Sequence, residues 1–399
     1  MKCRLEDICL KITDGSHYSP SDDFNSDIPM LSVKDMDEFD FNYNNCKHIS
    51  EEEYNKMIRN DCVPKLYDVL VAKDGSYLKE IFVNEKETKK AILSSIAIFR
   101  PNQEIVDPYF LCYLLKTPII SNYVRDNCVS GSALPRIILR AFKEIKLTIP
   151  NLEIQKKIVE IVKNMNSKIR INNQINDNLE KQLSILFNEM FLENIKNNNT
   201  NEFEEKILYD VLEVIDNRGK TPKLVEISDY PILDVRALSG NGRIINYDMC
   251  EKYVDEEVYN TFFRSGHPKK NDILLSTVGS LAEMKLFIEN KGTVAQNVIA
   301  LRSKMDYPMF IYQYLKAIKS DLISYNIGSV QPSIKVTQFM KHSFYLPKSD
   351  KLKKFENLSV TYTNKMFNLH KEKEALTQLR DTLLPKLMNG EIDLDKIQI

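Results

Sequence analysis

The chain has 399 residues, of which 43 % are hydrophobic and 28 % charged, and its formal net charge is −1. That length suits two or three domains of roughly 150 residues, and no stretch reaches the roughly 20 apolar residues a membrane span needs. A near-neutral chain is no dedicated polycation, so any nucleic-acid contact must use local patches or a partner.

The opening segment, MKCRLEDICLKITDG, carries acidic residues too early and too short an apolar stretch for a signal peptide. Seven cysteines form no C-x-x-C pair and six of them precede residue 150, so reduced thiols in a cytoplasm are expected rather than a disulfide or zinc framework. LEDICLKIT reads as a strand running into a polar loop, Asp14-Gly15-Ser16-His17. Further along come IPML at 28–31, the strand DVLVAKDGS with its turn at Gly75, and IAIFRP at 96–101. FLCYLLK carries helical spacing, GSALP at 131–135 is a glycine loop, and KLTIP at 146–150 closes the first globular part.

A long helix follows. Its positions Ile158, Val162, Met165, Ile169, Asn172, Asn176, Leu179, Leu183, Leu186 and Met190 alternate in steps of four and three, the spacing of a coiled-coil seam. Two readings stand for Asn172 and Asn176: buried seam residues that set register, or an unzipped, solvated stretch. The polar run NIKNNNTNEFEEK at 194–206 is a linker.

Then the order repeats. PILD at 231–234 answers IPML, and PKKNDILLSTVGS at 268–280 answers PKLYDVLVAKDGS at 64–76. IALRSK, YPMFIYQYLK, GSVQP and SFYLP follow in the same sequence as their first-copy counterparts. A repeat that keeps its order while its loops change length is one fold duplicated. A second heptad helix closes the chain, with Phe355, Ser359, Tyr362, Met366, Leu369, Lys373, Leu376, Arg380, Leu383 and Leu387 on its seam, Pro385 near its end and Gly390 as its stop. Each helix needs a partner, and the other is the one heptad helix available. The expected fold is therefore α+β: two duplicated recognition domains separated by two long helices that pair as an antiparallel coiled coil. The expected boundaries are 1–150 for the first domain, 151–193 for its helix, 194–206 for the linker, 207–347 for the second domain, 348–389 for its helix and 390–399 for a tail.

Catalytic constellations are missing from the sequence. Arg218-Gly219-Lys220-Thr221 contains the GKT of a phosphate loop, but Val214 stands where that loop needs a glycine and Pro222 where its helix would open. No proline pair, no G-x-G-x-x-G and no H-x-x-x-H spacing occurs, and the five histidines read as surface or structural residues. What remains is a set of polar loops at matching places in the two copies. In the first, Gly15, Ser16, His17, Lys73, Ser76, Ser132 and Arg136 are candidate DNA contacts; in the second, Arg218, Lys220, Thr221, Ser276, Ser280, Ser329, Gln331 and Lys335. Arg136 suits guanine and Gln331 adenine through paired hydrogen bonds in the major groove, while serines and backbone amides equally suit phosphate. Plain tight turns remain an open alternative for these loops.

LTIPNLEIQKKIVEIV at 147–162 and LRDTLLPKLMNGEIDL at 379–394 closely resemble the conserved regions of type I restriction–modification specificity subunits, and GKTP at 219–222 and the two GS-x-x-P turns fit the same pattern. The resemblance covers essentially the whole chain, although KLKKFENLS at 351–359 lacks the QKKIV string of the first copy. It implies a non-catalytic reader of double-stranded DNA, each target recognition domain taking one half of a split sequence while the helices set the spacing and dock partners. The implied partners are two methyltransferase subunits that use S-adenosylmethionine and, where cleavage occurs, restriction subunits that use ATP and magnesium. This chain itself would hold no cofactor and no metal. Two readings from other classes stay open: a duplicated-domain scaffold that binds protein without recognising DNA, and a cryptic enzyme.

Overall fold

The structure is a computed structural model that describes residues 1–75, 77–131, 135–197, 201–219, 221–328, 332–348 and 350–392. The chain divides into two compact units, one formed by residues 1–170 with 375–399 and the other by residues 171–374. The boundaries thus fall inside the two long helices, so each unit owns a piece of both.

In the first unit, strands β1 (Cys9–Asp14), β2 (Val69–Ala72), β3 (Ile81–Val83) and β4 (Ile96–Pro101) form an antiparallel sheet in the order β1-β4-β2-β3. Successive side chains of a strand point to opposite faces, and here both faces are covered. Val69 and Val71 enter a core with helix α1 (Pro108–Leu115), while Leu70 and Ala72 enter a second core beneath Leu31 and Phe41. That is why DVLVA reads as a continuous apolar run rather than an alternating one. A smaller sheet sets Pro29–Leu31 antiparallel to Lys47–His48 and parallel to Ala91–Ile92. Lys2–Arg4 pairs with Lys146–Thr148, closing the unit before α2 (Leu152–Phe187), a helix without interruption.

The second unit repeats this topology. Its strands β5 (Leu212–Ile215), β6 (Ile273–Ser276), β7 (Met284–Leu286) and β8 (Val298–Ser303) run in the order β5-β8-β6-β7. Helix α3 (Pro308–Ala317) packs on them, and α4 (Lys351–Met388) follows, carrying Pro385 near its end. The matching goes down to single bonds. In the turn before β2, Tyr67 has φ 66° and Lys65 N donates to Asp68 Oδ2 at 2.7 Å; before β6, Asn271 has φ 72° and Lys269 N donates to Asp272 Oδ2 at 2.7 Å. Both aspartates are buried, and each receives a two-pronged guanidinium: Arg100 on Asp68 at 3.0 and 2.9 Å, Arg302 on Asp272 at 3.1 and 2.8 Å.

The long helices meet within each unit. Ile158 and Val162 share a core with Leu384 and Leu387 in the first. In the second, Leu183 and Phe187 share one with Phe355 and Met366. Asn172 is buried, its amide donating to Glu372 at 2.8 Å and lying 3.5 Å from the Leu369 carbonyl; Asn176 donates to the Met366 carbonyl at 3.4 Å. Of the other expected seam positions, Ile169 and Leu369 are buried, and Met165, Leu179, Tyr362, Leu376 and Leu383 half-buried. One part of the seam is corrected. Beyond Asn176 burial follows Glu180, Leu183, Phe187 and Phe191, leaving Leu186 and Met190 only partly covered. A straight helix drifts off a 3.5-residue repeat, and here the drift turns Phe187 and Phe191 onto Phe310 at 5.4 and 5.1 Å between ring centres. A π-turn over Asn188–Leu192 accompanies it.

Candidate nucleic-acid interface

At one end of the first unit's sheet three polar segments come together. β1 ends on Asp14, and the chain then hugs the sheet: Gly15 N donates to Ile96 O at 3.0 Å and Ser16 N to Ile92 O at 2.8 Å. A Cβ on Gly15 would lie 2.3 Å from the Ile92 carbonyl oxygen, so close approach demands the glycine. β2 runs into Lys73, Asp74 and Gly75. Gly75 N donates to Pro135 O at 2.8 Å and Ile137 N to Lys73 O at 3.0 Å, which brings Pro135–Ile137 alongside. The side chains then interlock. The Asp14 carboxylate takes the Lys73 ammonium at 2.5 Å and faces His17 at 3.3 Å, while Arg136 lies 3.0 Å from Asp74. His17 and Arg136 stay 75 % and 58 % exposed, so of these groups they are the ones open to solvent.

The second unit builds the same frame with other side chains. Gly279 N donates to Pro332 O at 3.4 Å, Ile334 N to Thr277 O at 2.8 Å and Thr277 N to Asn297 O at 2.8 Å. Asp216 stands where Asp14 stood, but its partner is Arg218, two residues on, which grips it through Nε and Nη2. Burial opposes the Asp216 charge, yet Arg218 and its own amide outweigh it and hold the carboxyl below its usual range. Thr221 accepts from Gln296 at 3.1 Å and borders a pocket of about 200 Å³ with Asn217, Phe263 and Asn297. Ser280 and Lys335 are exposed nearby in the sequence of this frame.

Three expected contacts are buried and engaged inside their own unit. Lys73 is almost wholly buried and its charge is met by Asp14. Ser276 is fully buried; its hydroxyl donates to Ser280 O at 2.5 Å and accepts from Glu283 N at 2.8 Å, so it closes a turn. Ser16 is also largely covered, its hydroxyl engaged with Tyr18. The strand register pairs the copies as their aligned segments do. Lys73 corresponds to Thr277 and Arg136 to Ser333, since Asp74 bridges Arg136 as Val278 bridges Ser333. Ser76, Ser132, Lys220, Ser329 and Gln331 lie outside the described residues. Sequence reasoning missed Asp14, Asp74, Asp216 and Gln296. The signal for the first and third was present, because both copies end their opening strand on aspartate.

Two copies of one α+β domain, each offering differently furnished polar loops at the same sheet end, define a duplicated binding protein. The family described as type I restriction modification DNA specificity domain matches residues 1–181 and 200–377, and the chain belongs to that family. It is 25 % identical to the type I restriction enzyme MjaIX specificity subunit of Methanocaldococcus jannaschii, over 93 % of this chain and 88 % of that one. It is 23 % identical to the HindI specificity subunit of Haemophilus influenzae, over 82 % and 86 %. The fold is similar to a crystal structure of a type I restriction–modification S subunit from M. genitalium, with TM-score 0.52 and 19 % identity over 97 % of this chain and 96 % of that one.

Proposed function

We propose that the chain is the DNA sequence-specificity subunit of a type I restriction–modification complex, working in the cytoplasm. Each recognition domain reads one half of a bipartite site. The long helices pair as an antiparallel coiled coil that spaces the domains and docks two methyltransferase subunits. The observation that carries this reading is a common backbone frame with exchanged polar groups: Asp14, His17 and Arg136 in one copy, Asp216, Arg218 and Thr221 in the other. One frame with two furnishings suits two different half-sites. The antiparallel pairing is supported by the order of contacts, Asn172 to Leu369 and Asn176 to Met366, with partners falling as positions rise.

On this reading Arg136, poised by Asp74 and open to solvent, exchanges a carboxylate for the paired acceptors of a guanine edge. Backbone amides and hydroxyls of the glycine loops hold phosphate and set register. Methyl transfer belongs to the partners, which bring S-adenosylmethionine, and translocation or cleavage to restriction subunits with ATP and magnesium. The test is methylation mapping in cells that express the chain with its methyltransferase subunit. A split motif with one gap is the expected result. An unbroken motif, or methyl transfer by the purified chain alone, would overturn the reading.

A further inference from the structure

In the second unit the segment that follows the strand Tyr230–Leu233 carries Arg243, fully buried among polar partners. Its approach is held by Lys285, itself buried, whose ammonium donates to the carbonyls of Gly240, Asn241 and Gly242 at 2.9, 3.2 and 2.8 Å. Burial brings Lys285 down to about 8 against the pull of Glu180 and Glu283. The Arg243 guanidinium then leaves the recognition domain and enters the helices. It meets Glu180 of α2 at 2.6 and 3.1 Å, and Thr363 of α4 at 2.8 Å, with Tyr312 of α3 stacked 5.0 Å away. Lys316 completes the cluster on Glu180 at 3.0 Å.

The first unit makes the corresponding link with its charges exchanged. Glu38, from the recognition domain, receives Arg380 of α4 at 2.9 Å, and the same guanidinium donates to Asn166 of α2 at 2.9 Å. This pair is open: Glu38 is 36 % exposed and borders a cavity of about 340 Å³ with Phe39, Tyr113 and Lys116, whereas the Arg243 site is sealed. A sealed pair broken on one side leaves a charge stranded in low dielectric, while an open pair is screened and replaced by water.

We infer that Arg243 is a positioning residue: with Glu180 it locks the second recognition domain to its helices at one angle, while the Glu38–Arg380 link leaves the first domain compliant. The inference rests on the split-site reading above. Each added base pair turns the far half-site by roughly 35°, so a locked domain refuses a changed gap and a loosened one follows it.

The experiment is methylation mapping of wild type, Arg243→Ala, Glu180→Gln and Glu38→Ala, each expressed with its methyltransferase subunit, with thermal unfolding of the purified complexes alongside. Wild type should show one gap. Arg243→Ala and Glu180→Gln should keep the bases of both half-sites and raise methylation at sites one base pair longer or shorter by about tenfold, as expected for a gap discrimination weakened by about 1.4 kcal/mol. Glu38→Ala should do so by less than about threefold. If wild type shows no split motif, the functional reading fails and takes the lock with it. If wild type shows one gap and both Arg243→Ala and Glu180→Gln retain it, the lock alone is wrong. Should Arg243→Ala unfold, the isosteric Glu180→Gln decides by the same criterion. Spreading in Glu38→Ala as wide as in the second-unit variants, or loss of all methylation by a folded Glu180→Gln complex, equally overturns it.

Discussion

Where the two units share a bond, that bond serves the backbone; where they differ, the difference is compensated inside the same unit. The turn before the central strand is held by the same aspartate, amide and arginine in both. The start of the helix that covers the sheet shows the other behaviour. Asp107 caps α1 from its own chain neighbourhood, accepting from Tyr109 and Phe110, but Tyr307 at the corresponding place makes no side-chain cap. Glu356 of α4 reaches in instead and takes the amides of Met309 and Phe310 at 3.1 and 2.8 Å. Orphan amides at a helix start need an acceptor, and any element can supply it. Duplication therefore keeps a geometry rigidly when one residue's position defines it, and renegotiates it when only complementarity is required.

The largest effect should come from the shared bond. Arg100→Ala and Arg302→Ala each leave a buried carboxylate uncompensated, which should cost about 3–5 kcal/mol in the affected unit and little in the other. Hydrogen exchange resolved by unit checks this, and strongly unequal losses would break the equivalence. Next is acid. Burial disfavours the Glu180 carboxylate, but Arg243 and Lys316 outweigh it and hold it down to about 2, against 4.5 for an unperturbed glutamate. The stability this contributes, about 3 kcal/mol, is complete above pH 4.5 and is lost as pH falls toward 2. Glu180→Gln should flatten that loss in the second unit, as unfolding measured between pH 5 and 2.5 will register.

Smaller effects sharpen the contrast at the candidate reading loops. Gly15→Ala drives a Cβ into a backbone carbonyl and should destabilise the first unit by about 1–3 kcal/mol. Asn217→Ala at the matching position gives up hydrogen bonds to Gly266 and Ser265, about 1 kcal/mol each, with no clash. Denaturant midpoints separate the two. Arg136→Ala should relax discrimination at one base pair of one half-site by about 1–3 kcal/mol, and Gln331→Ala at one in the other half. Equal weakening on every duplex would reassign that residue to phosphate.

Much of the architecture was legible because it rests on repetition and period. The buried strands DVLVA and DILLS, the helices over the sheets and the 4–3 spacing of the long helices are local patterns that survive divergence. The candidate reading loops were legible only as places. That Lys73 turns inward to Asp14 while Arg136 stays open depends on a strand partner about sixty residues away, which no local spacing encodes. The late seam was misplaced by one residue, Phe187 for Leu186, because the domain core captures the helix there in addition to the partner helix. Arg243 gave no signal at all: an arginine after S-G-N-G reads as a solvated turn, and its burial follows from Glu180 and Thr363, far off in sequence.

The division of the helices between units has a consequence for synthesis. Leu384 and Leu387 belong to the core of the first unit, yet they leave the ribosome after the entire second unit has been made. At roughly 5–20 residues per second, the first sheet waits on the order of 10–40 s with the flank meant for those leucines uncovered. During that time the nascent first domain exposes apolar surface that a chaperone, or a methyltransferase subunit already present, can cover. Limited proteolysis of stalled nascent chains ending before and after Leu387 should show the first domain becoming resistant only in the longer one. The N-terminal half of this protein is, in folding terms, its last to finish.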